Sequence, residues 1–551
     1  MRKTITKETG IVFAAIAVGA CLAFLGLTNH LFWDDEANTA IFGRNLLEYG
    51  KLFAWDGRNL IGFRTGAELN DNLENTYMPP LQYYVAAAGI FIFGESTFGA
   101  RVLFVVAGLA SIFFLALLMR RLKGSHLAWK ISPFVLAVSP AYLLYIRNCR
   151  YYALAALFFV AMLAAWSSEL QTKRQKVESY TIALASAVLL PLSHYLIAAA
   201  ALASLPLFFA LKQFRTRRHV ALLGAIYGIS LIVGIWLITV VDPFGSPVSR
   251  IDPTPPLERF FTLWWWHLRD LGTFEFVPVT LIVVLVLPFV IPKLADQRPL
   301  AARGGLLAAI LVLTCLITAL LSPQPVPRAP VADMRHLVPL IALGAGITGI
   351  ILVILLKLWR PLAPIVAALV LLTNIPHLGF LGKSSGFLPP KPVGCTLCDY
   401  VLEGITDYET STEKLVSSLK KIPKDSVVLI YPPFMAYSPM FYLPELRFCC
   451  QLDADKEIHP SLEAELPDYL YWEKARVDIA FISSKPPPVR EGPLDITYRD
   501  KNYKMGQFRV LEYMDIFRDD RSRPEIPWHS FSDKELKNAP HRGFFVADIA
   551  R

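Results

Sequence analysis

Three consecutive acidic residues, Asp34, Asp35 and Glu36, follow directly after the first apolar segment of the chain. That segment, residues 11–27, contains no charged side chain. A carboxylate in this position could take a proton from a hydroxyl group and so activate it as a nucleophile. The simpler interpretation is that the three acids face water at the end of a membrane helix. Which interpretation holds depends on the other polar residues that reach the same surface.

Arginine, histidine and tyrosine residues occur between several of the later apolar segments, on the side of the membrane expected for the acids. Ionisable groups at a membrane are costly to bury and are therefore candidates for function. Arginine binds phosphate through two parallel hydrogen bonds, so this set suits a reaction of an anionic lipid. Considered alone, Arg150 could simply be an arginine whose side chain extends from a helix end to the membrane surface. Considered alone, His194 is more often a polar group between packed helices. The set comprises Arg147, Arg150, Tyr151, His194, Tyr195, Arg328, Asp333, Arg335 and His336.

The composition indicates a protein with many membrane segments. Of its 551 residues, 54% are hydrophobic and only 18% are charged, whereas soluble proteins have roughly 25% charged residues. The apolar residues form blocks of about 15 to 22, the length that crosses a bilayer as a helix. The net charge of +9 comes mostly from short loops of the kind that orient membrane helices, so we expect no nucleic-acid partner. We expect the first apolar segment to be a retained helix rather than a cleaved signal peptide.

The distribution of lysine and arginine among the loops predicts the topology. Residues 79–94 are apolar but short for a span, and a crossing there would invert every later loop. We therefore expect a helix embedded near the outer surface, eleven spans in total, a cytoplasmic N-terminus and an outer C-terminus. The acidic triad then begins a long first outer loop, residues 31–94. The loops expected in the cytoplasm are residues 120–130, 171–176, 212–219, 293–303 and 357–360.

The composition changes at about residue 381, where a more polar, proline-rich part of the chain begins. We therefore divide the chain into a transmembrane module, residues 1–380, and a soluble domain, residues 381–551. Residues 425–431 and 477–483 have the apolar, β-branched composition of strands, and helical segments alternate with them. This alternation predicts a small α/β domain on the outer face of the membrane.

Four of the seven cysteines lie in this C-terminal domain. Because thiols outside the cytoplasm tend to be oxidised, an even set favours disulfides, and we expect bridges that join the first pair to the second. Free buried thiols and a zinc site are the alternatives, although no nearby pair of histidines favours zinc. The first pair is Cys395 and Cys398, and the second is Cys449 and Cys450.

Five sequence motifs resemble those of a known group of membrane enzymes. The first is WDDEANTAIFGRNLLEYG, and it is followed in order by NTYMPPLQYYVAAAGIFIFGESTFGARV, SPAYLLYIRNCRYYALAALFF, LSHYLIAAA and DMRHLVPLIAL. Together they resemble the protein O-mannosyltransferase family and its relatives, which include the bacterial enzymes that transfer aminoarabinose to lipid A. The resemblance covers about residues 10–380, and the C-terminal domain has no recognisable counterpart.

The resemblance implies an integral-membrane glycosyltransferase of the C-type fold, which takes its sugar from a polyprenyl or dolichyl phosphate and inverts the anomeric centre. It assigns the catalytic carboxylates to Asp35 and Glu36. His336 stands where the family usually has tyrosine. The substrate-binding residues that it implies are Asp34, Arg150, Tyr151, His194, Tyr195, Arg335 and His336, with Arg150 and Arg335 on the lipid phosphate.

Related oligosaccharyltransferases hold a divalent metal with acids from two outer loops. The corresponding loop here, RNCRYY, contains no acid. We therefore expect no cofactor and favour a metal-independent enzyme, with a divalent metal as the alternative.

Two functions from different classes fit the sequence. The first is a glycosyltransferase at the outer face of a bacterial inner membrane. It would transfer the sugar to a hydroxyl or phosphate group of a lipid A-like glycolipid, another envelope glycan or a protein. The second is a transporter or flippase of a lipid-linked glycan, which requires ionisable residues near the middle of the membrane. The interiors of the predicted spans are nearly free of charge, which favours the enzyme. A structural membrane protein with an outer binding domain is a third interpretation.

Overall fold

The computed structural model contains a large helical part followed by a smaller domain with a β-sheet. It describes residues 2–122, 125, 127–241, 254–273, 277–322, 326, 335–377, 394–406, 409–484, 491–498, 501–516 and 542–550. The helices of the first part are α1 (Arg2–Phe24), α2 (Asp34–Tyr49), α3 (Leu81–Phe93), α4 (Thr97–Arg121), α5 (Ala128–Ala137), α6 (Pro140–Ile146), α7 (Tyr152–Trp166), α8 (Lys173–Ser193), α9 (Tyr195–Ser204), α10 (Arg217–Val240), α11 (Pro256–Thr273), α12 (Leu287–Val290), α13 (Arg298–Leu321), α14 (Val338–Leu358) and α15 (Leu362–Leu372). Short 3-10 helices occupy Leu205–Ala210, Lys212–Phe214, Val279–Val286 and Pro292–Gln297.

Several of these helices are apolar enough to lie in a membrane. Within the described residues, four helical segments have the length and composition of a span, and the pair α5 and α6, bent by 62°, makes a fifth if it is counted as one. The four are α4, α10, α14 and Pro292–Leu321, which includes α13. Shorter apolar helices, among them α3, α7 and α15, supplement this set. Length and composition therefore indicate a multi-pass membrane protein, while the count of eleven spans stays a prediction.

Helix α14 forms the centre of the helical part. Its residues 338–355 are all buried, and it contacts α4, α5, α7 and α13. The close approach to α5 depends on Gly349, because a Cβ atom there would lie 2.1 Å from Ser132 Oγ. Small residues at such crossings let membrane helices pack backbone to backbone. This central packing fixes the helix ends that surround the site described below.

Helix α3 corresponds to the short apolar segment at residues 79–94. Its 13 residues extend about 20 Å, which is less than the roughly 30 Å of a bilayer core. It packs between α2 and α4: Gly43 of α2 contacts Ala86, and Gly89 contacts the carbonyl of Gly99. The length thus agrees with a helix that does not cross the membrane. The side of the membrane on which it lies stays a prediction.

The C-terminal domain is built on one six-stranded sheet. The spatial order is β2–β1–β3–β6–β5–β4, in which β2, β1 and β3 are parallel and the remaining pairings are antiparallel. The strands predicted at residues 425–431 and 477–483 are present as β1 and β3, whereas the expected domain boundary lies outside the described residues. The elements are α16 (Thr396–Ile405), α17 (Ser411–Leu419), β1 (Val427–Tyr431), α18 (Tyr437–Tyr442), β2 (Arg447–Phe448), α19 (Pro460–Glu463), β3 (Ile479–Ser484), β4 (Glu491–Tyr498), β5 (Lys501–Ile516) and β6 (Arg542–Ala550), with 3-10 turns at Pro433–Ala436 and Asp468–Leu470.

The predicted disulfides between the two cysteine pairs are wrong. Cys395 is instead bonded to Cys398, three residues later in the first turn of α16, where the helix brings the two side chains together. Cys449 and Cys450 are buried free thiols that follow β2 and pack in the core of the sheet domain. Burial raises the pKa of Cys450 well above its ordinary value, so this thiol is a packing group rather than a nucleophile.

The C-terminal domain docks on the segment of residues 31–94 through polar contacts. Arg58 Nη1 lies 2.6 Å from Asp425 Oδ1, and Asn59 Oδ1 accepts the backbone N–H of Phe448 at 2.9 Å. Near the start of α2, the Leu31 N–H donates to Glu413 Oε1 at 2.9 Å. Burial opposes the ionisation of Glu413, but its hydrogen bonds with His30 and Thr410 outweigh this and lower its pKa. This segment and the domain are therefore held in one arrangement.

Candidate active site

Helix α2 carries the acidic triad in its first turn. Asp34, Asp35 and Glu36 occupy that turn, where the helix dipole stabilises negative charge. The preceding Trp33 donates from its ring Nε1 to Asn148 Oδ1 at 2.6 Å, so the start of α2 is tied to the segment that carries Arg150. The two segments meet although 115 residues separate Trp33 from Asn148.

Asp35 lies between two arginines that come from distant parts of the chain. Its Oδ2 atom is 3.2 Å from Arg150 Nη2 and 3.4 Å from Arg335 Nη1. Arg150 is nearly buried, and its Nη1 also donates to Thr39 Oγ1 at 3.1 Å. The Arg335 side chain is 29% exposed, so this corner of the cluster remains open to an incoming group. Two guanidinium groups thus contact one carboxylate oxygen at this point.

Glu36, the neighbouring acid, has a different environment from the one expected. It is fully buried, and its two oxygens accept from Arg101 Nε at 2.9 Å and Arg101 Nη2 at 2.6 Å. The same carboxylate accepts the backbone N–H of Cys149 at 2.8 Å, while Arg101 also donates to the carbonyls of Leu27 and His30. Glu36 does not line the cleft that contains Asp35. It joins α2 to α4 and to the segment of Arg150.

Three aromatic or imidazole side chains form a contact network beside the cluster. His194 Nδ1 accepts the backbone N–H of Ile197 at 3.4 Å, where it caps α9. In the neutral ring the proton is then on Nε2, which donates to His336 Nδ1 at 3.0 Å. Tyr151 stacks on His336 with 6.4 Å between ring centres and meets His194 edge-on at 4.8 Å. The structure therefore brings the three residues predicted for substrate binding into mutual contact.

These residues line a cleft between the later helices and the segment of residues 31–94. Its empty space, counting the open mouth, is about 880 Å³. Of the predicted site residues, Asp34 and Glu36 do not line it, and the rest do. Arg147 is not among the lining residues either and bonds to Tyr400 and to the carbonyl of Gly26; Arg328 and Asp333 lie outside the described residues. The predicted residues in the lining are Asp35, Arg150, Tyr151, His194, Tyr195, Arg335 and His336.

Part of the cleft comes from residues that sequence reasoning did not select. They lie between α2 and α3 and at the start of α3, and include Arg64, Glu68, Tyr77 and Tyr83. Tyr83 accepts from Asn75 Nδ2 at 2.8 Å. Glu68 is one of several acids between α2 and α3, and nothing in its local sequence pattern distinguishes it from the others.

In the described part of the chain, no group of three or more histidine, cysteine, aspartate or glutamate side chains is arranged to hold a metal ion. The expectation of a metal-independent enzyme stays a prediction.

Comparison with known sequences and structures gives results of two kinds. No protein-family model matches the sequence, and no curated protein matches it. Among solved structures, the chain is similar to ArnT from Cupriavidus metallidurans, a lipid A aminoarabinose transferase, bound to undecaprenyl phosphate. The two are 11% identical, the match covers 90% of this chain and 98% of that one, and the TM-score is 0.44.

Two further glycosyltransferase structures are similar to this chain. One is the archaeal oligosaccharyltransferase AglB from Archaeoglobus fulgidus in complex with an inhibitory peptide and a dolichol-phosphate, at 12% identity, 86% and 69% coverage of the two chains and a TM-score of 0.48. The other is the arabinofuranosyltransferase AftD from Mycobacteria, at 12% identity, 98% and 40% coverage and a TM-score of 0.37.

Proposed function

We propose that this protein is an inverting membrane glycosyltransferase that moves a sugar from a polyprenyl phosphate to the hydroxyl group of an acceptor. The observation that carries the proposal is the position of Asp35 between Arg150 and Arg335 in an open cleft. A carboxylate and two arginines at one point provide both a proton acceptor and a binding site for phosphate.

The two arginines of the cluster support an anionic ligand. Arg150 and Arg335 both face the open cleft beside Asp35, and the phosphodiester of a polyprenyl-phosphate sugar carries one negative charge. When that phosphate binds to the guanidinium groups, it replaces the contacts that Asp35 makes with Arg150 and Arg335. The released carboxylate is then available to the acceptor hydroxyl.

The reaction that follows is a displacement at the anomeric carbon. Asp35 accepts the proton of the acceptor hydroxyl as the oxygen forms a bond to that carbon. The bond between the anomeric carbon and the phosphate oxygen breaks, and its electron pair leaves with the polyprenyl phosphate. Arg150 and Arg335 stabilise the charge that develops on this leaving group, which is the kind of electrostatic contribution that dominates many enzyme mechanisms. Attack from the face opposite the phosphate inverts the configuration.

We further propose that the reaction takes place at the outer face of a bacterial inner membrane, with eleven spans and an extracytoplasmic C-terminal domain. The loop charges described above support this orientation. A glycolipid, another envelope glycan or a protein could each supply the acceptor hydroxyl. His336 and His194 would contact the substrate beside the phosphate, since both line the cleft.

The proposal is tested by incubating the purified protein in lipid nanodiscs with a panel of radiolabelled polyprenyl-phosphate sugars and a membrane extract as acceptor. We expect one acceptor component to become labelled and an equal amount of polyprenyl phosphate to appear. Heat-denatured protein is the control. Intact labelled donor that moves between leaflets of sealed vesicles, without any bond being broken, would replace the transferase proposal with a transporter.

A further inference from the structure

Arg150 is nearly buried, and two of its three guanidinium nitrogens contact the same helix. Nη2 lies 3.2 Å from Asp35 Oδ2, and Nη1 donates to Thr39 Oγ1 at 3.1 Å. Asp35 and Thr39 are four residues apart in α2, so their side chains lie on one face of the helix, a single turn from each other. Among the described residues, the third nitrogen, Nε, has no hydrogen-bond partner. The polar contacts that orient this guanidinium group in the described part of the chain therefore both come from α2.

The two residues of α2 differ in their access to the cleft. Asp35 lines it, whereas Thr39 is fully buried and is not among the lining residues. A phosphate that enters the cleft can therefore replace the carboxylate, but it does not reach the threonine hydroxyl. Once the phosphate has replaced Asp35, Thr39 is the remaining hydrogen-bond partner of the Arg150 side chain among the described residues.

The Thr39 hydroxyl is oriented by a hydrogen bond within its own helix. It donates its single proton to the backbone carbonyl of Asp35 at 3.2 Å, which is a common bond of threonine in helices. The oxygen is then left with its lone pairs, and a guanidinium group can only donate to them. A hydroxyl that served only its own helix would not also contact an arginine 111 residues away. Helix α2 thus presents the Thr39 hydroxyl to Arg150 as an acceptor.

The orientation of Arg150 matters because an arginine side chain has many rotamers. A ligand that must select one of them binds more weakly, since it immobilises the side chain at its own cost. A guanidinium group that is already held avoids this cost and keeps its donors directed at the charge that develops on a leaving group. The start of α2 is also tied to the segment of Arg150, because Trp33 Nε1 donates to Asn148 Oδ1 at 2.6 Å. Helix α2 is therefore placed to hold Arg150 while Asp35 is exchanged for a ligand.

We propose that Thr39 is a positioning residue, which holds Arg150 in place while the donor phosphate replaces Asp35 on its guanidinium group. This inference rests on the proposed function, since it requires Arg150 to bind the phosphate. Thr39 acts through Arg150 and does not touch the substrate. Loss of the Thr39 hydroxyl should therefore weaken phosphate binding only when Arg150 is present.

The test measures equilibrium binding of polyprenyl phosphate to the full chain in nanodiscs. Thr39→Val removes the hydroxyl at nearly constant volume, and Thr39→Ala differs from Thr39→Ser by the hydroxyl alone. In each comparison we expect the protein without the hydroxyl to bind about tenfold more weakly, the lower end of the range for a hydrogen bond to a charged group. Thr39→Ser should bind within about threefold of the unmodified protein, because it keeps the acceptor. Thermal denaturation shows which variants are folded, and either comparison alone decides the point.

Thr318→Val is the matched control, on a different helix. The Thr318 hydroxyl is also buried, and it donates to the carbonyls of Thr314 and Cys315 in its own helix at 2.8 and 3.1 Å. In the described part of the chain, no arginine donates to it. Removing this hydroxyl should leave the affinity for polyprenyl phosphate unchanged.

The background Arg150→Gln separates positioning from a general effect on the fold. Arg335 still lines the cleft in this background, so residual binding can be measured. Adding Thr39→Val there should cause no further loss of affinity, because the group that Thr39 positions is absent. Equal losses with and without Arg150 would overturn the inference, as would unchanged affinity in Thr39→Val and Thr39→Ala, or equal losses in Thr39→Ala and Thr39→Ser. If the unmodified protein does not bind polyprenyl phosphate, the proposed function fails, and this inference with it.

Discussion

Two ion-pair clusters involve the first turn of α2, and they differ in the number of arginines and in their exposure. Asp35 meets two arginines in an open cleft, and the Arg335 side chain is 29% exposed. Glu36 meets one arginine in a fully buried, bidentate pair. In this buried pair, both oxygens of the Glu36 carboxylate already accept hydrogen bonds from Arg101, so the pair offers no binding position to a substrate. The Asp35 cluster is partly exposed and presents two guanidinium groups to the open cleft. Of two acids adjacent in sequence, one is therefore available for chemistry and the other holds the helices together.

The largest expected effect tests whether Asp35 takes part in the reaction. Asp35→Asn should lower the transfer rate by about 10²- to 10⁴-fold, the usual contribution of a general base. Because this variant leaves Arg150 without its carboxylate partner, thermal denaturation must first show that it remains folded. It should bind polyprenyl phosphate at least as well as the parent, because both guanidinium groups lose their competing carboxylate. Single-turnover transfer and donor binding are the measurements. Full activity in this variant would show that the acid only solvates the helix end.

The next prediction tests whether Glu36, the acid adjacent to Asp35, stabilises the fold. Glu36→Gln should lower the free energy of unfolding by about 3–5 kcal/mol, because it leaves the Arg101 charge buried without its counterion. Thermal denaturation in detergent measures this effect. The double variant with Arg101→Gln should lose less than the sum of the single losses, since it removes both charges. A stable but inactive Glu36→Gln protein would contradict the comparison and return Glu36 to the catalytic group.

A smaller effect is expected where the phosphate is bound. Arg335→Ala should weaken donor binding by about 10- to 150-fold, as expected for a lost charged hydrogen bond, and should reduce turnover because the phosphate is present in both the ground and transition states. Arg147→Ala is the matched control: it lies in the same RNCR segment as Arg150, but bonds to Tyr400 and Gly26 rather than lining the cleft. Donor titrations that respond equally to both variants would argue against a phosphate site.

The sequence predicted the open cluster better than the buried pair, for a physical reason. Asp35, Arg150 and Arg335 all lie at ends of apolar segments, so loop charges and family motifs together indicate that they meet. The partner of Glu36 is Arg101, within the first turns of α4, and no local pattern connects the two. Arg64 and Glu68 line the cleft beside Thr65, which bonds to Asp453 of the C-terminal domain, so their position depends on a contact with a residue almost 400 positions later.

The pairing of the cysteines also could not be predicted from the sequence. Four cysteines in one domain indicated oxidation, but sequence alone does not give the distances between thiols. The structure joins Cys395 to Cys398 within one helical turn, while the backbone of Cys449 is hydrogen-bonded to Val428 of β1. The strands that hold Cys449 were predicted only in part, since β1 was expected and the two-residue β2 was not.

The smallest effect is expected at Asp34, which completes the comparison along the first turn of α2. Asp34 is half-buried and does not line the cleft, although the sequence resemblance placed it with the substrate-binding residues. Like other acids at a helix N-terminus, Asp34 is expected to stabilise the fold by about 0.3–1 kcal/mol. Asp34→Asn should therefore lower stability by no more than this and change the transfer rate by less than about threefold. Rates measured beside Asp35→Asn under identical conditions decide the point. If Asp34→Asn is inactive and Asp35→Asn is active, the proton acceptor is Asp34, and the arginines around Asp35 serve the phosphate alone.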